Sequence, residues 1–250
     1  MEENRNTGNL PAGQDGNASA EEMQEEKTPS SFRLIFTLGL AGFLSGLIMA
    51  GAYIYTKPMI EANKAAAIER AILKVIPNCV SFKTLELKEG KLTSFNPGKN
   101  KKTEKGEKPR LVYIGYNQSN TVAGFAILGS EIGFADVITI MVGYDASKKS
   151  IIGYEVLECK ETPGLGDKIF KDHAFKKNFD ELLTDPEIKF AKKGEKQNKN
   201  EVEAITGATI SSKAVIRLLN NSMKEWKEPI DNFIKIGENK KTDLPVNKQQ

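Results

Sequence analysis

The longest apolar stretch of the chain lies near its N-terminus. Residues 34–56, LIFTLGLAGFLSGLIMAGAYIYT, form 23 consecutive uncharged positions. As an α-helix they would be about 34 Å long, which exceeds the ~30 Å hydrocarbon core of a bilayer. The stretch is too long for the core of a signal peptide, and it begins only at Leu34. The pattern therefore predicts an uncleaved transmembrane helix at residues 32–56.

Helical patterns recur in three later segments. Residues 58–77 are rich in Ala and place their large apolar side chains on one stripe, which predicts an amphipathic helix packed on a domain. Residues 167–183 have a helical pattern as well. In residues 211–226 the apolar positions again share one face, and we expect this last helix to pack on a sheet.

The segment between these helices has the alternation and the turn residues of a sheet. We therefore predict the fold class α+β: a single N-terminal transmembrane helix, then one domain with a mostly antiparallel sheet flanked by helices. The strand-like runs occupy residues 111–117, 121–128, 136–145 and 150–159.

The two chain ends contain little to bury. Residues 1–31 are polar and acidic, so we expect a disordered tail, and residues 237–250 are expected to form a flexible tail. The predicted organisation is completed by the transmembrane helix at 32–56 and one globular domain at 57–236.

Charge and composition exclude several functions. The net charge is only +3, from 36 basic and 33 acidic side chains, and the lysine-rich runs 98–110 and 192–200 are typical of solvated loops. We therefore exclude nucleic acid as a partner. With only Cys79, Cys159 and His173, the chain can build neither a four-ligand zinc or iron–sulfur site nor a conventional catalytic triad. Whether the two cysteines form a disulfide stays open.

The most informative motif is EAITGATISSKAV at residues 203–215, where a small-residue turn leads into a helix starting near Ser211 or Ser212. Gly207 permits a close backbone approach, Ala208 leaves room, and a helix N-terminus favours an anion. The alternative is that these hydroxyl residues only cap the helix. The hydroxyls that could bind or attach a phosphate belong to Thr206, Thr209, Ser211 and Ser212.

ITGATISSKAV closely resembles the flavinylation motif of the FMN-binding domains in the G subunit of the Rnf electron-transport complex and in its relative, the C subunit of the Na+-translocating NADH:quinone reductase. In that family a flavin transferase joins the phosphate of FMN to the last threonine of the tetrad, which by position is Thr209. Glu203 stands where many members have Asp. The resemblance implies covalent FMN in a phosphothreonyl linkage on Thr209, with Thr206 or Ser211 as fallback sites.

A second motif, ETPGLGDKI at residues 161–169, resembles the loop that borders the flavin in the same family. Taken by itself, the motif is better explained as a Pro and Gly turn that positions the next helix. The resemblance covers residues 34–236 and fits the Rnf protein better than the quinone reductase protein. The cofactor-binding residues that it implies in this loop are Thr162, Gly164, Leu165 and Lys168.

The resemblance also implies a function and partners. The chain would be an electron-transfer subunit of an ion-translocating ferredoxin:NAD oxidoreductase, without a complete active site of its own. Its expected partners are the other membrane subunits of the Rnf complex, a flavin transferase during maturation, and membrane lipid. The alternatives are the C subunit of the quinone reductase and a membrane-tethered FMN-binding module without redox turnover.

The orientation in the membrane has two conflicting indicators. Two basic residues flank the predicted span on its N-terminal side and four follow it, which favours a cytoplasmic domain. That rule is weaker for long translocated domains. The resemblance implies a single-pass protein of the cell membrane with its C-terminal domain on the extracytoplasmic side, and this is the orientation that we expect.

Overall fold

The computed structural model describes residues 30–95 and 109–242, with side chains described as far as residue 236. The chain divides into two compact units, Met1–Lys57 and Pro58–Gln250. The tails predicted at residues 1–31 and 237–250 lie largely outside the described part and stay predictions.

Helix α1 spans Ser31–Val75 and includes Pro58, where the sequence predicted two separate helices. A proline removes one backbone hydrogen bond from a helix, and its ring crowds the carbonyl of the preceding turn; a long helix can accommodate both effects. Between residues 32 and 55 the large apolar side chains are exposed. Within the described ranges, α1 is the helix long and apolar enough to cross a membrane, in agreement with the predicted span.

The second unit is built on a seven-stranded sheet with the strand order β2-β1-β3-β4-β5-β6-β7. Every neighbouring pair in it is antiparallel. The predicted α+β class with a mostly antiparallel sheet is therefore confirmed. The strands are β1 Ser81–Lys88, β2 Lys91–Ser94, β3 Leu111–Tyr116, β4 Val122–Ile132, β5 Val137–Asp145, β6 Ser150–Glu158 and β7 Leu182–Leu183.

Both faces of this sheet are covered. Alternate residues of a strand point to opposite faces. On β5, Ile140 packs in the cluster that contains the last long helix, whereas Met141 packs with Ile72 and Val75 near the end of α1. Two-sided burial explains why β5 is apolar almost throughout instead of alternating.

The β1–β2 hairpin was missed in the sequence. Its turn residues, Glu89 and Gly90, have φ values of 50° and 77°, the positive φ that two-residue hairpin turns need. The Gly at the turn was the signal that could have identified it.

The predicted helix at residues 167–183 is wrong in its extent. The structure has two short helices, α2 (Lys168–Lys171) and α3 (His173–Lys177), followed by turns and β7. Asp172 separates the helices because its backbone is extended, and its carboxylate caps α3 by accepting the Ala174 N–H at 2.8 Å.

The last helix, α4, is longer than predicted at both ends and spans Thr209–Thr242. It passes through Pro229, beyond the predicted end at residue 226. Ile230, directly after this proline, is fully buried, so core packing continues beyond the missing hydrogen bond. Between α3 and α4, β8 (Lys189–Ala191) and β9 (Glu201–Glu203) form a parallel pair.

Candidate functional site

The two sequence motifs meet at one cleft of about 320 Å³. One wall is the loop between β6 and α2, another is the N-terminus of α4, and the turn between β4 and β5 contributes an aromatic side chain. Segments about forty residues apart in sequence are thus brought together. The lining residues are Phe134, Glu161, Thr162, Leu165, Gly166, Gly207, Ala208, Thr209, Ile210 and Ser211.

The start of α4 offers free hydrogen-bond donors to this cleft. The first helical bond runs from the Ser212 N–H to the Ala208 carbonyl at 2.9 Å. Within the described residues, the N–H groups of Thr209, Ile210 and Ser211 have no acceptor. Gly207, with φ of 84°, turns the chain into the helix. Free N–H groups at the positive end of a helix of this length suit a phosphate.

The four candidate hydroxyls fall into two classes. Ser211 Oγ is buried and donates to Glu161 Oε2 at 2.7 Å. Ser212 Oγ is also buried, donates to the Ala208 carbonyl at 2.9 Å and accepts from the Ile205 N–H at 3.1 Å. Both serines are therefore structural. Because its hydroxyl is buried and hydrogen-bonded, Ser211 is disfavoured as a fallback attachment site.

The two threonines, in contrast, are exposed. Thr209 lines the cleft, and in the described part of the chain its hydroxyl makes no hydrogen bond. Thr206 lines a different cavity on the other side of Gly207. Of the four hydroxyls, only that of Thr209 is both accessible and beside the free N–H groups.

Glu161 joins the three walls of the cleft and was not recognised as a site residue. Its side chain is buried at 6% exposure. Oε1 accepts the N–H groups of Phe134 and Ala135 at 2.8 and 3.1 Å, and Oε2 accepts the Ser211 hydroxyl. One carboxylate thus fixes the β4–β5 turn and the start of α4. Its place as the first residue of the ETPGLG motif was the available signal.

Two glycines make room for Glu161. A β-carbon at Gly133 would overlap its carboxylate. At Gly166, a β-carbon would lie 2.8 Å from the Glu161 β-carbon and 2.9 Å from Ser211 Oγ. Neither glycine has a positive φ, so glycine is needed at both positions because the packing leaves no space for a side chain.

The predicted loop residues have different positions. Thr162 and Leu165 line the cleft, whereas Lys168 lines the cavity that contains Thr206. Gly164 lines neither of these two cavities, and it shapes the turn with a φ of 78°. Its N–H donates to Asp167 at 2.8 Å, and an ion pair with Lys171 holds the pKa of Asp167 below its usual value, with help from that N–H.

Exposed apolar side chains surround the cleft. Phe134 is 66% exposed, Ile210 51% and Leu165 47%. Large apolar groups left in contact with water around a concave site suit a flat aromatic ligand. Of these three, sequence reasoning identified only Leu165. The two cysteines lie outside the cleft and are free thiols, and burial raises the pKa of Cys159.

Comparison with known families assigns the same region. Residues 133–224 match the family described as FMN-binding domain. This segment contains both motifs, the β4–β5 turn and the N-terminal part of α4.

Curated relatives match over most of the chain. The G subunit of a Na(+)-translocating ferredoxin:NAD(+) oxidoreductase complex from Acetobacterium woodii is 29% identical, over 81% of this chain and 97% of that protein. The G subunit of a proton-translocating ferredoxin:NAD(+) oxidoreductase complex from Clostridium ljungdahlii is 26% identical, over 84% and 98%. The G subunit of an ion-translocating oxidoreductase complex from Methanosarcina acetivorans is 25% identical, over 76% and 92%.

Two solved structures share the fold. The crystal structure of Shewanella oneidensis NqrC matches with a TM-score of 0.54 and 19% identity, over 71% of this chain and 99% of that one. The C subunit of the Na(+)-translocating NADH-quinone reductase from Parabacteroides distasonis matches with a TM-score of 0.51 and 18% identity, over 68% and 95%. At these identities the likeness supports the fold.

Proposed function

From the match of residues 133–224 to the FMN-binding domain family, we propose that the chain binds FMN and is an electron-transfer subunit of a membrane-bound ion-translocating ferredoxin:NAD oxidoreductase of the Rnf type. FMN would be held by a phosphoester bond to Thr209. The observation that carries the linkage is the exposed hydroxyl of Thr209 beside three unpaired N–H groups of α4.

The similarity to the G subunits of such complexes from three organisms supports this assignment, because each match spans more than 90% of the relative. The partners would be the other membrane subunits. The apolar helix α1 supports attachment to the membrane. We place the C-terminal domain on the extracytoplasmic side, where a covalent bond would retain a cofactor that otherwise diffuses away.

The chemistry of attachment accounts for the need for a transferase. The Thr209 hydroxyl would supply the ester oxygen, and the transferase would supply the activated flavin phosphate and release its leaving group. The hydroxyl proton passes to a base on the transferase. The described residues place no histidine beside Thr209, and both carboxylates near the motif, Glu161 and Glu203, accept backbone N–H bonds. We therefore assign the base to the transferase.

Each wall of the cleft then has a task. The N–H groups of Thr209, Ile210 and Ser211 would bind the phosphate oxygens. Phe134, Leu165 and Ile210 would contact the ring and exclude water from it. Bound FMN supplies one-electron transfer, and the protein holds it in place and tunes its potential. Glu161 keeps the walls at a fixed separation through its three hydrogen bonds.

Flavin fluorescence in a denaturing gel tests the linkage directly. The full chain, produced together with a flavin transferase, should give a fluorescent band and an intact mass larger by one FMN less one water. Thr209→Ala should abolish both signals. Thr206→Ala is the matched control and should keep both, because its hydroxyl lies outside the cleft. A dark wild-type band, or a fluorescent Thr209→Ala band, would refute the linkage.

A further inference from the structure

The cleft contains one charged side chain, that of Glu161. The other residues that line the cleft are neutral, and no Lys, Arg or His is among them. Glu161 is buried at 6% exposure. Within the described part of the chain, no ammonium or guanidinium group forms an ion pair with its carboxylate. The lining of the cleft therefore carries a negative charge without a cation to offset it.

The hydrogen bonds of Glu161 leave this charge in place. Oε1 accepts the N–H groups of Phe134 and Ala135, and Oε2 accepts the Ser211 hydroxyl at 2.7 Å. Three bonds accepted and none donated is the pattern of an ionised carboxylate. The three donors are neutral groups, so the cleft keeps a net charge of one negative unit.

A ligand in the cleft lies within the range of this charge. A sphere with the volume of the cleft, about 320 Å³, is only about 9 Å across. The Debye length is about 10 Å at 0.1 M salt, so ions in solution screen the carboxylate only in part over such a distance. Any group that occupies the cleft therefore experiences the charge of Glu161.

We propose that Glu161 tunes the flavin electrostatically, and that its negative charge lowers the reduction potential of the bound FMN. This role rests on the proposed binding of FMN in the cleft. Above neutral pH, two electrons and one proton from solvent convert an oxidised flavin ring into its reduced anion, so reduction adds one negative charge to the cleft. Repulsion between this charge and the carboxylate favours the oxidised form. Glu161 thus acts on the flavin by charge, in addition to holding the walls of the cleft.

Coulomb's law gives the size of the effect. Two unit charges about 9 Å apart, at an effective dielectric constant of about 20, shift the equilibrium between oxidised and reduced flavin about twentyfold. For a two-electron couple this shift is about 40 mV, because each tenfold change corresponds to about 30 mV. Glu161→Gln removes the charge and keeps an oxygen that can accept the N–H groups of Phe134 and Ala135. Its flavin should therefore have a midpoint potential about 40 mV above that of the wild type.

Asp136 in the β4–β5 turn provides the matched control. Its carboxylate also accepts a backbone N–H, from Val137 at 2.7 Å. In contrast to Glu161, its side chain is 44% exposed, pairs with Lys160 at 3.2 Å and does not line the cleft. Asp136→Asn therefore removes a charge that water already screens, and the midpoint potential should change by less than about 10 mV, or about twofold in the equilibrium.

Anaerobic titration with dithionite and redox dyes at pH 8 measures these potentials in the flavin-loaded full chain in detergent. A rise in Glu161→Gln no larger than that in Asp136→Asn would overturn the proposal. Glu161→Ala separates charge from position, because it removes the acceptors as well. If Glu161 acted only by positioning the walls, Glu161→Gln would keep the wild-type potential and Glu161→Ala would not, and this result would also overturn the proposal.

A thiol at the attachment position reports the same charge without flavin. Thr209→Cys places this thiol in the cleft. Adding Glu161→Gln should lower the pKa of the thiol and increase its thiolate fraction at pH 7 about two- to twentyfold, because a neighbouring negative charge disfavours the thiolate. Adding Asp136→Asn instead should change it less than twofold.

The pH dependence of alkylation by iodoacetamide, read by mass spectrometry on the peptide that contains position 209, measures the thiolate fraction. If the wild type takes up no flavin, the proposed attachment fails, and the thiol still decides whether the charge of Glu161 acts within the cleft. A thiol that responds equally to Glu161→Gln and to Asp136→Asn would overturn the electrostatic role.

Discussion

Replacement of Glu161 is the sharpest test of how the cleft is held together. In Glu161→Ala the N–H groups of Phe134 and Ala135 and the hydroxyl of Ser211 lose their acceptor. A hydrogen bond to a charged group contributes about 1.5–3 kcal/mol, and an abandoned buried donor costs about as much. Ser211 is 1% exposed, whereas the β4–β5 turn is open to water, which can replace part of the other two bonds.

Counting Ser211 fully and the turn amides only in part, we expect Glu161→Ala to lower the free energy of unfolding by about 3 kcal/mol. Glu161→Gln is the matched control. Its carbonyl oxygen can still accept the two backbone N–H groups, and the Ser211 hydroxyl can rotate to accept from the new amide. The loss should then be about 1 kcal/mol, mainly the charge contribution.

Denaturant titration of the full chain in detergent measures both values. Trp226 is the only tryptophan and is buried in the core of the second unit, so its fluorescence reports unfolding of that unit. The comparison belongs in the Thr209→Ala background, where no flavin quenches the signal. Two results would show that the carboxylate does not hold the cleft together. One is a free energy of unfolding of Glu161→Ala within about 0.5 kcal/mol of that of its parent, and the other is an equal loss of stability in Glu161→Gln and Glu161→Ala.

Two further predictions concern the same loop. Gly166→Ala should lower the unfolding free energy by about 1–3 kcal/mol, because the added β-carbon overlaps the Glu161 side chain; a thermal melt that matches the wild type would contradict this close packing. Asp167 has a lowered pKa because of Lys171 and the Gly164 N–H, so its contribution to stability is present above its unfolded pKa and is lost as the pH falls through the lower folded value. The stability difference between wild type and Asp167→Asn should therefore shrink as the pH falls below about 4, and denaturation midpoints at pH 7 and pH 3 that differ by the same amount would exclude this role.

Sequence reasoning succeeded where a local pattern determines the outcome. The strands from Leu111–Tyr116 to Ser150–Glu158 follow from alternation and turn residues, and the apolar helix follows from its length. It failed where a local rule has exceptions. Pro58 and Pro229 lie within helices, and the segment after Asp167 breaks into two short helices because Asp172 caps the second one.

The candidate site divides in the same way. The TGAT turn before a helix and the ETPGLG loop were visible as motifs, and they carried the expectation of a phosphate group at Thr209. Which hydroxyl is free depends on burial: Ser211 and Thr209 are two residues apart in one motif, yet one is hydrogen-bonded in the interior and the other faces the cleft.

By itself, the sequence determined the long apolar helix, the α+β class and the segments that carry the chemistry, because each depends on the order of residues within a short window. Only the tertiary structure decided that Glu161 bridges the β4–β5 turn and α4, and that of the four motif hydroxyls the one on Thr209 faces the cleft. Such contacts depend on how the chain packs across the sheet, and no local pattern encodes the distance between residues that lie far apart in sequence.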